Sequence, residues 1–317
     1  MERIPVWIDC DPGVDDAAAL LLAGRMPELE LVGLSAVAGN VCLAQACSNL
    51  LKLREQMGAK TPVYAGAPGP LHRPAIDAVA FHGRDGLGGV ALPEAKGRAE
   101  ETPVWDGLYQ AARRRPGGLT LIALGPLTNV AVAFRRYPDL PRLLRRLLLM
   151  GGAIRGGNRT PFAEFNILAD PEAAALVFAA ELPVVMFGLD VTLQAYMTPD
   201  QWRELAKGSE TVRLLAAMQQ AAMTRVMAQG APGIAMHDPC PVLYAADPSL
   251  FEGESASIQV ATDGPQLGRT LARWSESGNC RVMLQVDRPA FLDRVFQILG
   301  RYSGAAPAFS GRMPVAF

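Results

Sequence analysis

The sequence predicts an α/β fold: a mostly parallel central sheet of the open, Rossmann-like kind with helices on both faces, then a helix-rich C-terminal part and a late antiparallel strand pair. Three observations predict it. Short apolar runs of strand length alternate with stretches of helical period, the pattern of βαβ units. Those runs are continuously apolar, as strands buried on both faces require. Half of the 317 residues are hydrophobic and only 19% are charged, which suits a sizeable core and excludes intrinsic disorder.

Taken in order, residues 4–8 form a β-prone run, and residues 16–26 a mostly apolar helix that begins with acidic residues, as the positive end of a helix dipole favours. Residues 29–37 read as a second buried strand and 43–57 as an amphipathic helix. A strand over 119–124 leads into a helix over 126–136, while 143–150 fits either a strand or a helical segment. Residues 170–180 form a helix with Pro171 in its first turn, and 183–187 another strand. Beyond Thr198 the pattern is helix-rich, and residues 258–286 read as the antiparallel pair. Segments 66–103 and 151–167 are long, rich in Gly, Pro and polar residues, and read as loops; loops of that length in a compact fold usually carry function. Neither an internal repeat nor a low-complexity linker divides the chain, so one domain over 1–317 is expected.

Thirty basic residues against thirty-one acidic ones leave a formal charge of −1. Nucleic-acid binding and attraction to a membrane surface are therefore not expected. No apolar run approaches the ~20 residues that span a bilayer, and residues 1–5 lack the apolar core of a signal peptide, so a cytoplasmic location is expected. The five cysteines contain no C-x-x-C pair and read as small buried hydrophobes in a reducing compartment. Only Lys52, Lys60, Lys96 and Lys207 are lysines, which leaves lysine-centred chemistry few candidates.

The sharpest signal is Asp9-Cys10-Asp11-Pro12-Gly13-Val14-Asp15-Asp16, where the first strand ends and a helix begins. Carboxylates this dense repel one another unless a cation lies among them. An all-oxygen set without a His or Cys cluster suits a hard ion, Ca2+ or Mg2+. The carboxyl end of a parallel strand is also where open α/β sheets bind ligands. A helix N-cap and solvated turn charges account for only part of the cluster.

Asp9-x-Asp11-Pro12-Gly13-x-Asp15-Asp16 resembles the signature of the inosine-uridine preferring nucleoside hydrolases. The resemblance continues in order through Gly39-Asn40-Val41, His82-Gly83, Gly125-Pro126-Leu127-Thr128-Asn129, Met150-Gly151-Gly152, Asn158, Glu164-Phe165-Asn166, Asp170-Pro171-Glu172-Ala173 and His237-Asp238-Pro239. It implies a calcium-dependent N-ribohydrolase that splits a ribonucleoside into ribose and a free base. Such cleavage passes through a ribosyl oxocarbenium ion, so the site must stabilise positive charge and activate a water. The resemblance implies that Asp11, Asp16, Asp238 and the main-chain carbonyl of Leu124 bind Ca2+, with Asp11 as general base. The family often has Thr at the carbonyl position, and a backbone contact survives the change to Leu124. Asp15, Asn40, Asn158, Glu164 and Asn166 would grip the ribose hydroxyls, and Met150 would pack beneath the sugar. His237 would assist departure of the base, and His82 matches a second base-facing position.

Each residue alone has a plainer reading. Asn40 and Asn158 follow Gly, the usual place of a turn asparagine. Glu164 and Asn166 flank Phe165 at strand-like spacing and would share one face of an extended segment. Met150 suits a core, and a His beside an Asp is often a structural pair. Arg225 and Gln229, four residues apart before the loop 230–233, would project from one helix face that closes over the base; a solvated surface explains them equally well. Trp202 and Trp274 fit a core or an interface better than a stack on a purine.

Two other functions compete. A haloacid-dehalogenase-like phosphatase would use Asp9 and Asp11 with Mg2+, but it needs a downstream lysine that the composition scarcely supplies. A non-catalytic nucleoside- or ribose-binding protein would keep the cation and not the chemistry, yet the residues for both proton transfers are present. A dinucleotide-binding reading fails because no G-x-G-x-x-G follows the first strand. A small-molecule ribonucleoside is the expected partner, and a homodimer or homotetramer the expected assembly. Base preference stays open at this level.

Overall fold

The computed structural model describes residues 3–303; residues 1–2 and 304–317 of the expected domain, with the start of the N-terminal segment read above, lie outside the described residues. The first apolar run becomes β1, Ile4–Cys10. It is followed by β2, Leu29–Ala36, β3, Val63–Ala65, β4, Leu119–Ala123, β5, Leu144–Met150, and β6, Val184–Phe187. A short hairpin-like pair, β7, Tyr196–Met197, and β8, Ile234–Ala235, lies apart from the main sheet. The last strands are β9, Phe251–Val260, β10, Thr270–Trp274, and β11, Cys280–Val286.

The main sheet runs β10-β9-β11-β6-β5-β4-β1-β2-β3. Every pairing from β3 across to β11 is parallel, and only β9 with its neighbours β10 and β11 is antiparallel. The expected late pair is therefore three strands, and β11 joins the parallel sheet beside β6. The polar alternation of β9 hid its full length, since one of its faces is wet.

Helices cover both faces: α1, Val14–Ala23, α2, Leu43–Gln56, α3, Val79–His82, α4, Val104–Arg113, α5, Thr128–Arg136, α6, Leu140–Leu143, α7, Phe165–Ala169, and α8, Pro171–Phe178. Then come α9, Leu189–Thr192, α10, Pro199–Leu205, α11, Glu210–Ala228, α12, Pro239–Ala246, and α13, Arg288–Gly300. Side chains of β1 alternate between the two layers: Val6, Ile8 and Cys10 pack with α1, α2 and α12, whereas Trp7 packs with α4 and α5. This two-residue period divides one sheet between two cores. The segment 66–103 contains α3, and α4 follows it with Val104, Leu108, Ala111 and Ala112 buried on one face. Of the cysteines, Cys10, Cys240 and Cys280 are buried as expected, but Cys42 is exposed at the start of α2 and Cys47 is half-buried; all five are free.

Among the described residues, no helix is long and apolar enough to cross a membrane. The functional consequence of the topology lies at the centre of the sheet. From β1 the chain steps outward to β2 and β3, then returns to β4 on the other side of β1. Their carboxyl ends meet at this switch point, the place where a doubly wound sheet receives its ligand.

Candidate active site

β1 ends by delivering Asp9 and Asp11, and the Pro12-Gly13 turn delivers Asp15 and Asp16 in the first turn of α1. Asp16 reaches back over this turn, accepting from the Gly13 amide at 2.8 Å and the Asp11 amide at 3.3 Å. Asn40 is no solvated turn residue. Its amide N–H donates to Asp11 Oδ2 at 2.7 Å, and its Nδ2 reaches the Asp11 carbonyl and Asp16 Oδ2, each at 3.2 Å. Gly39 and Gly125 close on Asp11 from two sides: a Cβ on Gly125 would lie 2.5 Å from Asp11 Oδ1, and one on Gly39 would collide with Oδ2. Asp238, at the start of α12, completes the group by bringing a carboxylate oxygen close to those of Asp15 and Asp16.

Burial pushes the carboxyls of Asp11 and Asp238 well above the ordinary carboxylate range, and neighbouring carboxylates push them further. Asp16 is raised to about 7 for the same reasons. Oxygens of Asp15, Asp16 and Asp238 lie within 4.8 Å of one another. Asp11 Oδ1 and Asp15 Oδ1 are buried without a hydrogen-bond partner. Orphaned acceptors among mutually repelling, desolvated carboxylates are what a divalent cation satisfies, and the all-oxygen donors fit a hard ion. The Leu124 carbonyl, just past β4, accepts from Asn166 Nδ2 at 2.7 Å and keeps a second lone pair.

Asp9 stands apart. Its Oδ1 accepts from Ser35 Oγ and, at 2.8 Å, from Asn129 Nδ2, and it is 2% exposed. Burial raises it to about 6 against those two hydrogen bonds. Asp9 is thus tied to β2 and α5 through Oδ1, while its Oδ2 is left without a hydrogen-bond partner.

Met150, Glu164 and Asn166 form a second group, at the ends of β4 and β5. The extended segment expected around Phe165 is instead the start of α7, and Glu164 is its N-cap, accepting from the amides of Asn166 at 2.9 Å and Ile167 at 3.3 Å. The carboxylate also accepts from the Gly152 amide at 2.9 Å. Free amides at a helix start outcompete a strand when a carboxylate can cap them. Burial outweighs these bonds and raises Glu164 to about 7. Asn166 Nδ2 also meets the Met150 carbonyl at 3.2 Å and its sulfur at 3.4 Å, which joins the ends of β4 and β5. Asn158 lies on the exposed loop, where its Oδ1 accepts from the Phe165 amide at 3.0 Å.

The third side carries the two imidazoles. His82 ends α3; its Nδ1 accepts from the Val14 amide at 3.1 Å and lies 3.9 Å from Asp15 Oδ1. His237 Nδ1 lies 2.8 Å from Thr192 Oγ1. Burial lowers both histidines, partly opposed by Asp15, and each is close enough for His82 to sense the charge of His237. α11 is tied to this end through Gln219, whose Nε2 donates to the Val14 carbonyl at 2.6 Å. Arg225 is exposed in the last turn of α11, and Gln229 is exposed as the residue that terminates it, so the two do not form a fully helical pair. Trp202 is buried in α10, and Trp274 is 45% exposed on the edge strand β10. The sequence reading missed Ser35, Thr192 and Gln219, none of which has a local signal; Asn129 stood in a quoted motif without a role.

Along its whole length the chain is similar to known proteins. Residues 6–293 match the family model described as inosine-uridine preferring nucleoside hydrolase. A non-specific ribonucleoside hydrolase of Escherichia coli is 37% identical over 302 residues, covering 94% of this chain and 98% of that protein. Its counterpart in Escherichia fergusonii is 37% identical over 306 residues, covering 95% and 100%. Among solved structures, a plant nucleoside hydrolase superposes with a TM-score of 0.88 at 31% identity, covering 94% of this chain and 99% of that one. A purine-preferring ribonucleoside hydrolase from Gardnerella vaginalis gives 0.87 at 31% identity, covering 95% and 98%. With the family model matched over residues 6–293 and relatives 37% identical along nearly their whole length, the chain belongs to the inosine-uridine preferring nucleoside hydrolase family.

Proposed function

We propose that this protein hydrolyses the N-glycosidic bond of ribonucleosides to ribose and free base, with Ca2+ held by Asp11, Asp16, Asp238 and the Leu124 carbonyl. The observation that carries the reading is the set of carboxylate oxygens on Asp11 and Asp15 that lack a hydrogen-bond partner, together with the close approach of Asp15, Asp16 and Asp238. When bound, the ion supplies Lewis-acid polarisation of a water and of vicinal hydroxyls.

The chain's own residues do the rest. Asn40 fixes Asp11 through Oδ2, which leaves Oδ1 as the atom that takes a proton from the attacking water. Asp15, Asn40, Asn158, Glu164 and Asn166 grip the ribose hydroxyls, contacts that strengthen as the ring flattens towards an oxocarbenium ion. Met150 forms the apolar floor beneath that ring. His237 donates to the base as it departs with developing negative charge, and His82 meets the base from the α1 side. Arg225 and Gln229, at the open end of α11, contact the base or its surroundings and tune selectivity.

Relatives named as non-specific ribonucleoside hydrolases support a range of both purine and pyrimidine bases. The chain acts as one domain, in a homodimer or homotetramer, and the free state of its cysteines suits the cytoplasm. Ribose release from inosine, adenosine, guanosine, uridine and cytidine, assayed with and without a calcium chelator, tests the reading. Release from several of them that stops on chelation and returns with calcium is expected. No release from any, or release indifferent to chelation, overturns it.

A further inference from the structure

We propose that Thr192 is a positioning residue that holds His237 in the Nε2–H tautomer, so that a neutral imidazole presents a fixed hydrogen-bond donor to the departing base. The inference deepens the function proposed above and rests on it for the role of His237.

The backbone places the pair. The Leu189 amide donates to the Gly152 carbonyl at 2.9 Å, and the Thr192 amide donates to the Gly188 carbonyl at 3.1 Å, so α9 is seated against the loop after β5. Asp190 on the same helix accepts from the amides of Ile154 at 2.7 Å and Arg155 at 3.1 Å. On the other strand of the small sheet, Tyr196 pairs with Ala235 and Met197 with Ile234. The Met236 amide donates to the Ala195 carbonyl at 2.8 Å, which brings His237 to face Thr192.

Thr192 has no exposed surface, and the partner of its hydroxyl among the described residues is His237 Nδ1 at 2.8 Å. A buried O–H left without an acceptor costs more than a hydroxyl lone pair left idle. The hydroxyl proton therefore points at Nδ1, and Nδ1 carries the lone pair. The remaining proton of the neutral ring sits on Nε2. His82 follows the same rule by an independent route, since its Nδ1 accepts from the Val14 amide, which can only donate. Both imidazoles near the base position thus turn their Nδ1 to the protein.

Histidine-selective 15N NMR on the calcium-loaded enzyme tests this directly, because the chain has only three histidines. The expected spectrum shows His82 and His237 as neutral Nε2–H tautomers, with His237 losing its single tautomer in Thr192→Val and regaining it in Thr192→Ser. In parallel, kcat on inosine is expected to fall about 10-fold in Thr192→Val, a part of what a positioned proton donor supplies. p-Nitrophenyl riboside, whose leaving group needs no proton, is expected to be cleaved at nearly the wild-type rate. An Nδ1–H or doubly protonated His237 in the wild type overturns the proposal whether or not any variant folds. So does a spectrum unchanged in Thr192→Val, or equal losses on both substrates. Absence of ribose release with the expected spectrum would reject the enzymatic role while leaving the tautomer assignment standing.

Discussion

In the proposed roles Asp11 serves the sugar and His237 the base, and the chain holds the two by different means. At the sugar end the carboxylates emerge from β1 and the first turn of α1. Backbone amides of residues 11, 13 and 40 and the close approach of Gly39 and Gly125 fix them. At the base end, His82 comes from a four-residue helix in a long loop, and His237 is held by a side chain from α9. Arg225 and Gln229 stand exposed at the end of α11. If those roles hold, chemistry common to all ribonucleosides rests on rigid strand ends, whereas recognition of the base rests on elements that can vary without disturbing the sheet.

The comparison breaks most sharply at Asp11. Asp11→Asn keeps the shape but removes the base, and kcat is expected to fall by roughly 10²–10⁴-fold on every nucleoside alike. A loss confined to some bases would mean that the two ends are not separable. Metal content, measured alongside, distinguishes loss of the base from loss of the ion.

His237→Ala probes the other end. Natural nucleosides are expected to slow by roughly 10²–10³-fold, with little change on p-nitrophenyl riboside and no change in calcium affinity. Equal slowing on both substrates would assign His237 to the support of the neighbouring Asp238.

Removing calcium sharpens the comparison through stability. Without the ion, Asp16 and Glu164 titrate near 7 and Asp9 near 6 in the folded chain, against ordinary values of 3.8, 4.5 and 3.8. Between those limits the folded state binds more protons than the unfolded one, so stability falls as pH rises from about 4 to about 7. The chelated protein is therefore expected to melt at a lower temperature at about pH 7.5 than at about pH 5, and calcium to restore most at the higher value. A chelated protein that gains stability over this range would contradict the buried, uncompensated carboxylates.

The smallest effect is expected at Arg225 and Gln229. Alanine at either position is expected to alter the ratio of purine to pyrimidine kcat/KM by less than about 10-fold, below the usual worth of a fully buried specificity contact. Uniform loss across all bases would deny them a role in selectivity.

The parts of this site that the sequence determines by itself are contiguous in it. The run Asp9–Asp16 spans strand, turn and helix start, so its residue types and spacing state where the carboxylates fall whatever surrounds them. Continuous apolar runs likewise determined β1, β2 and β4 and their parallel pairing. The short helix at Glu164 was not legible, because its stability comes from one carboxylate capping amides of both α7 and the Gly152 loop. Nor was the full span of β9, which alternates polar and apolar residues because one of its faces is exposed.

Tertiary structure decided what joins positions far apart along the chain. Asn166 meets the Leu124 carbonyl across 42 residues, Thr192 meets His237 across 45, and Gln219 meets the Val14 carbonyl across 205. A single amide or hydroxyl has no periodicity, and its partner is chosen only when the sheet brings two loops to the same strand ends. Patterns of burial are repeated along a chain and so can be read from it; one hydrogen bond between distant residues is made once, by packing.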